Sequence, residues 1–452
     1  MFVHMTDYQM YRDDFGCPEI RAMWSEDGIL QGWIDFEVVL ADVQAELGFI
    51  PRAIADEIKA KGKLELVTAK KIADNFRVTN LASISMIRAF KDVCGGDAGE
   101  YIHYGATTQD ILDTTLAYRI RKSLEIWEND LALIRDELFV LADKYRAALM
   151  PGVTHGQHAI PITFGFLCAM WAQSVKEHIE RIREARPRIC VGSVCGAAGN
   201  FASYHLLFGD KVWEMQEMVL KRFGLNTPPI SIQPRNERLN EYLYLTANIS
   251  TTFEKIADEI FLQQRNEIAQ LEEPFDTEHQ ICSSTMPQKR NPVRCENIKA
   301  YATMLRSMAG AFSELHMRDL RDDSAFFVED FNFPTTAILM DSMLKTAHFV
   351  IAGLTVKPQT MRRNLDISGG LIMSEPLALI LAQKTGQKDT AMKIVHKAAM
   401  ESFEKGIPYE EYALSLPELR EYMSEKEIRD ALNPANYLGL NDRLIDNVIE
   451  SR

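Results

Sequence analysis

Leu116, Ile120, Leu124, Trp127, Leu131, Ile134, Leu138 and Leu141 recur at spacings of three and four. That spacing draws one apolar stripe along a helix. The stripe lies inside 106–150, a stretch with neither glycine nor proline, so nothing in it breaks a helix. Residues 236–273 form a second such stretch. As one helix it would span roughly 55 Å at 1.5 Å per residue. Helical patterns also run over 161–186 and 292–308. No alternation of convincing length predicts a strand. Helices this long bury their faces in an elongated bundle, often against other subunits.

Breaks cluster at Gly95-Gly96-Asp97-Ala98-Gly99, Met150-Pro151-Gly152, Thr227-Pro228-Pro229 and Ser368-Gly369-Gly370. The pattern predicts an all-α chain of three helical domains: an N-terminal one over 1–109, a central long-helix bundle over 110–354 and a C-terminal one over 355–452. No internal repeat or low-complexity tract is visible.

Composition narrows the function. The chain has 452 residues, 46% of them hydrophobic, so it can bury full cores. A net charge of −14 argues against a nucleic-acid or anionic-membrane surface, which needs clustered Lys and Arg. No run approaches a membrane span. Residues 1–12 are polar and lack the apolar core of a secretory signal. The seven cysteines are scattered, odd in number and free of CxxC, which fits reduced thiols in the cytoplasm. No dinucleotide loop, Walker loop or G-x-S-x-G elbow occurs, so no nucleotide cofactor is expected. His155 and His158, three apart, would share a helix face, but no third ligand lies near them and no metal is expected. Gly192, Gly196 and Gly199 read as a structural bend.

The most informative segment is Ser283-Ser284-Thr285-Met286-Pro287-Gln288-Lys289-Arg290-Asn291-Pro292. Asn291 is a good N-cap and Pro292 suits a first helical turn. Free N–H groups and the positive end of the following helix would face an anion held in the loop. Removing a proton from carbon beside a carboxylate builds a second negative charge on that carboxylate. A Lys, an Asn and a helix N-terminus suit such an aci-carboxylate. A serine becomes a competent base if the same surroundings stabilise its oxyanion. Thr107 and Thr108, just before the long helix, could cap it or hold a carboxylate with its free N–H groups.

This loop resembles the signature G-S-S-x-M-P-x-K-x-N-P of the fumarase/aspartase superfamily at every defined position except the first, where Cys282 replaces Gly. Thr154-His155-Gly156-Gln157-His158-Ala159-Ile160-Pro161-Ile162-Thr163-Phe164-Gly165 resembles the second conserved region. Gly105-Ala106-Thr107-Thr108-Gln109-Asp110 resembles the first. The resemblance covers most of the chain and implies a homotetramer with sites shared between subunits, no cofactor, and a small dicarboxylate as substrate.

It implies roles as well. Ser283 is the general base, with Ser284 as the fallback. Lys289 and Asn291 stabilise the aci-carboxylate. Thr107, Thr108 and Gln109 hold a carboxylate, and Thr154 contacts substrate. His155 contacts substrate and serves as acid to the leaving group. Gln233 resembles a substrate-contacting Gln of the adenylosuccinate lyase branch. Val78-Thr79-Asn80-Leu81 stands where that branch has Arg/Lys-His-Asp, which puts Asn80 toward substrate without the catalytic His. Asp323-Ser324-Ala325-Phe326-Phe327 stands where Ser-Ser-Ala-Glu-Arg is expected, so an Arg suited to phosphate is missing. The reading is a lyase that releases fumarate from a small N-substituted succinate. Gly105 to Asp110 and Asn436-Tyr437-Leu438-Gly439 also resemble 3-carboxy-cis,cis-muconate cycloisomerase, the first alternative. Adenylosuccinate lyase proper and a non-enzymatic structural protein on this fold are the others.

Overall fold

The computed structural model describes residues 4–11, 13–230, 236–281, 283–315 and 326–451. Five long helices dominate: α1 (Thr108–Lys144), α2 (Phe164–Ile189), α3 (Asn236–Gln263), α4 (Val293–Ser313) and α5 (Phe326–Ala352). Among the described residues the chain is all-α apart from two small antiparallel pairs and one isolated parallel bridge between Val191 and Asn226. On α1 the predicted stripe is the buried face: Ile120, Leu124, Trp127, Leu131, Ile134 and Leu138 are fully buried. No single helix among the described residues is long and apolar enough to cross a membrane.

The chain divides into two compact units. The first comprises Met1–Leu131, His178–Phe253 and Ala300–Lys345. Its core contains an aromatic ladder. Trp127 stacks on Tyr242, Tyr242 stacks on Phe333, and Phe312 meets Phe333 edge-on, with centroids 5.4–5.7 Å apart. These offset and edge-on geometries are the favourable ones for aromatic rings. The second unit comprises Ala132–Glu177, Glu254–Lys299 and Thr346–Arg452. Its C-terminal part packs the helices Ser374–Thr385, Lys388–Lys405 and Glu425–Leu432 around Leu377, Leu381, Val395, Tyr409 and Ile428. A reciprocal capping box between Ser424 and Glu427 starts the last of these helices.

Three expectations fail locally. Residues 149–163 are a β-hairpin, β1 (Leu149–Thr154) with β2 (Gln157–Thr163), not the approach to a helix. Pro151 and Pro161 face each other across it, and neither can donate to the ladder. Those prolines are why no strand pattern was readable. The helix then starts at Phe164 rather than Pro161. The long stretch after 236 leaves the helix at Gln263 and turns into β3 (Leu271–Glu272), which pairs with β4 (Thr355–Val356).

Candidate active site

The first cluster is the turn leading into α1, in the first unit. His103 stands at φ 63 and Gly105 at φ 83. A side chain at Gly105 would approach the Tyr204 ring to 2.9 Å, so glycine is required there. Buried and half-buried side chains hold the turn at His103, Tyr104, Gly105 and Thr107. Glu37 accepts the His103 amide at 2.8 Å and pairs with its ring at 2.7 Å. Gln44 donates to the Tyr104 carbonyl, Ser203 donates to that of Gly105, and Asp110 accepts the Thr107 amide. Burial opposes charge on His103, but the adjacent Glu37 outweighs it and raises its pKa. Thr107, Thr108 and Gln109 are half-buried at the mouth of this turn. The first turn-closing hydrogen bond of α1 is from the Asp110 amide to the Thr107 carbonyl at 3.0 Å, so the amides of Thr108 and Gln109 come before it and suit the turn to a carboxylate.

Thr154 and His155 lie at the tip of the hairpin, in the second unit, and both are exposed. His155 and Gly156 have φ of 51 and 76, a two-residue turn with both central residues left-handed. His155 and His158 therefore do not share a helix face. Among the described residues no group of three His, Cys, Asp or Glu is placed to hold a metal ion.

The Ser/Met-Pro/Lys loop also belongs to the second unit. Ser283 is half-buried, and its Oγ accepts the amides of Met286 at 3.0 Å and Thr285 at 3.4 Å. Those two donors would stabilise an oxyanion on Ser283. Ser284 and Lys289 are exposed. Lys289, Arg290 and Asn291 line a cavity of about 1030 Å³ with Arg265, Phe275 and Met286. Gln264 clips the loop's exit by donating to the Arg290 carbonyl at 3.0 Å while accepting the Glu273 amide at 2.9 Å. The Arg290 guanidinium lies 4.9 Å from the Phe275 ring centroid and 3.4 Å from Glu272.

One electrostatic expectation is corrected here. The start of α4 does not offer all its amides to an outside anion. Glu273 already accepts those of Arg294 at 3.2 Å and Cys295 at 3.0 Å. Burial raises the Glu273 pKa, and these hydrogen bonds oppose the rise. The positive charge left for a ligand is that of Lys289 and the loop.

Asn80 caps the Ala69–Thr79 helix in the left-handed conformation and is exposed. Gln233 lies outside the described residues, as do Cys282 and most of 323–327. The structure thus brings Ser283, Ser284, Lys289 and Asn291 onto one loop, Thr154 and His155 onto one hairpin tip, and Thr107 to Gln109 onto one turn. Sequence reasoning passed over Glu37, Gln44, Asp110, Gln264 and Glu273. Only Asp110 carried a local signal, standing three residues after Thr107 at capping-box spacing.

Residues 14–306 match the family model described as lyase, and residues 370–448 that described as adenylosuccinate lyase C-terminus. The chain is 37% identical to an adenylosuccinate lyase of Methanocaldococcus jannaschii, over 100% of this chain and 96% of that protein. It is 35% identical to an N-acetyl-S-(2-succino)cysteine lyase of Dickeya dadantii, over 99% and 98%. Among solved structures it resembles the β-carboxy-cis,cis-muconate cycloisomerase of Acinetobacter calcoaceticus, at 25% identity and a TM-score of 0.89, over 98% and 100%.

Proposed function

Because the chain belongs to the fumarase/aspartase superfamily of lyases, in the adenylosuccinate lyase and carboxymuconate cycloisomerase branch, we propose that it cleaves a small N-substituted succinate and releases fumarate. Ser283 takes the proton from the carbon beside one carboxylate. Lys289 and Asn291 stabilise the aci-carboxylate that forms. Thr107, Thr108 and Gln109 hold a carboxylate, with Asn80, Thr154 and Gln233 as further substrate contacts. His155 protonates the leaving atom. The observation that carries this reading is the Ser283 hydroxyl set on two amides in the loop that presents Lys289 and Asn291 to a cavity.

Elimination is favoured over lactone closure by the relatives of higher identity, whose names both specify a succinyl compound. One of those compounds is a thioether, so an S-substituted succinate is the second reading.

We place the active sites between subunits of a homotetramer in the cytoplasm. In the single chain Ser284, Lys289, Thr154 and His155 are all exposed, whereas carbanion chemistry needs water excluded. Exposed apolar residues are available to be covered: Phe327 and Phe331, one helical turn apart on α5, line an open cavity of about 420 Å³ with Met304 and Met308.

The test is to incubate the enzyme with N-substituted succinates, an S-succinyl thiol and carboxymuconate, and to follow fumarate by its absorbance. Fumarate from a succinyl amine supports the first reading, and fumarate from the thioether alone supports the second. A lactone without fumarate would refute both.

A further inference from the structure

We infer that Asp110 is the positioning residue of the carboxylate-holding turn: its side chain fixes the Thr107–Gln109 backbone by binding that turn and a distant loop at once. The inference rests on the proposed role of Thr107 to Gln109.

Asp110 is fully buried in the first turn of α1. Its carboxylate accepts from the Thr107 amide at 3.1 Å, the Cys195 amide at 2.9 Å, the Gly196 amide at 3.3 and 3.2 Å, and the Tyr204 hydroxyl at 3.2 Å. Every one of these partners donates. Only a carboxylate, with two accepting oxygens and no proton, answers such a set. An amide of the same shape offers one acceptor and presents N–H groups to the other donors.

The position also has a cost that simple anchoring would not require. No ammonium or guanidinium is among these partners. Burial pushes Asp110 up to about 6, and the four sets of hydrogen bonds oppose the rise. Tyr204 lies on the Ala202–Phe208 helix, and the neighbouring His103 is hydrogen-bonded to Glu37, with the charge of Glu37 and then that of Asp110 raising its pKa against burial.

The geometry shows what the carboxylate does. The Thr107 amide is drawn inward to Asp110 and the Thr107 carbonyl accepts the Asp110 amide at 3.0 Å, so Asp110 closes the turn from both its side chain and its backbone, with the Thr108 and Gln109 amides between. Tyr204 and Ser203 press from the other side, on Asp110 and on the Gly105 carbonyl. Gly196 is left-handed at φ 77, and an added Cβ would come within 3.2 Å of Ser203 Oγ. One turn along α1, Thr114 secures the same loop separately, donating to the Ser193 carbonyl at 2.7 Å and accepting its amide at 3.0 Å. Thr114 therefore holds the loop without touching the turn, and provides the control.

The experiment titrates fumarate into the intact protein by calorimetry and measures KM and kcat on the substrate found above. Asp110→Asn, with wild-type mass by light scattering, is expected to raise Kd and KM about tenfold or more with a smaller change in kcat, the mark of lost uniform binding. Tyr204→Phe removes one donor and leaves the carboxylate, so it is expected to fold and to weaken fumarate about threefold. Thr114→Ala is expected to lower stability and leave Kd unchanged. Wild-type Kd in both Asp110→Asn and Tyr204→Phe, or an equal loss in Thr114→Ala, overturns the inference. If the wild type binds fumarate but Thr108→Ala binds it as well, the turn is not the carboxylate site, and the underlying reading falls instead.

Discussion

The carboxylate of Glu273 lies 3.0 Å from the amide of Cys295, in the first turn of α4. It occupies the pole of the helix that follows the Lys289 and Asn291 loop, and its backbone amide is held in turn by Gln264. Glu273→Gln keeps the shape but faces one amide of Arg294 or Cys295 with an N–H donor. A stability loss of about 1–3 kcal/mol is expected. Turnover is expected to fall with it as the loop exit shifts. Urea unfolding and a fumarate assay check both; an unfolding midpoint equal to wild type would remove Glu273 from this role.

Ser283 has a positional duty as well as its proposed chemical one, since its Oγ accepts the Met286 amide. Ser283→Ala is expected to lower kcat by about 10²–10⁴, the usual range for a lost acid-base group. Ser284 is exposed, and it is the Ser283 hydroxyl that accepts the turn's amides, so Ser284→Ala is expected to be tolerated with a much smaller loss. A Ser284→Ala enzyme that is dead beside an active Ser283→Ala one reassigns the base to Ser284.

Assembly should depend on the apolar face of α5. Phe331 is 73% exposed in the single chain, as is Phe327. Phe331→Asp is expected to shift the particle from four chains toward smaller species in light scattering. Fumarate release should fall in parallel under the proposal that the sites are shared. A stable, fully active monomer would contradict the shared-site proposal.

Asp130 is a pH-sensitive group of the first unit, beside the charge of Asp341. Each has one buried oxygen without a partner, and Asp341 also accepts the Cys17 amide at 2.6 Å. Burial, then the charge of Asp341, pushes Asp130 up from 3.8 to about 6. A carboxylate raised in the folded state stabilises fully below its unfolded pKa, and that contribution is lost as pH rises through the folded one. Asp130→Asn is therefore expected to stabilise the protein at neutral pH by about 1–2 kcal/mol, after discounting for partial exposure. The gain should vanish by about pH 4. Denaturation at several pH values tests this; a gain independent of pH would assign it to packing.

The α1 stripe was legible because helix periodicity is local: Ile120 to Leu138 repeat every three or four residues whatever the rest of the chain does. The signature loop was legible for a similar reason, since its residues are consecutive. The hairpin at 149–163 was not, because Pro151 and Pro161 erase the strand signal that pairing then overrides. The structure alone decided which groups answer the buried donors. Asp110 meets amides 85 and 86 residues away, and Glu273 reaches helix amides 21 and 22 residues on. No pattern of neighbouring residues encodes such pairs. They follow from the requirement that buried N–H groups find an acceptor, and folding determines which acceptor is near enough. The sequence by itself determined the long helices and the set of residues that one loop carries together. The tertiary structure decided that the helix pole behind that loop already holds the Glu273 carboxylate, and that the turn entering α1 is built on the Asp110 carboxylate.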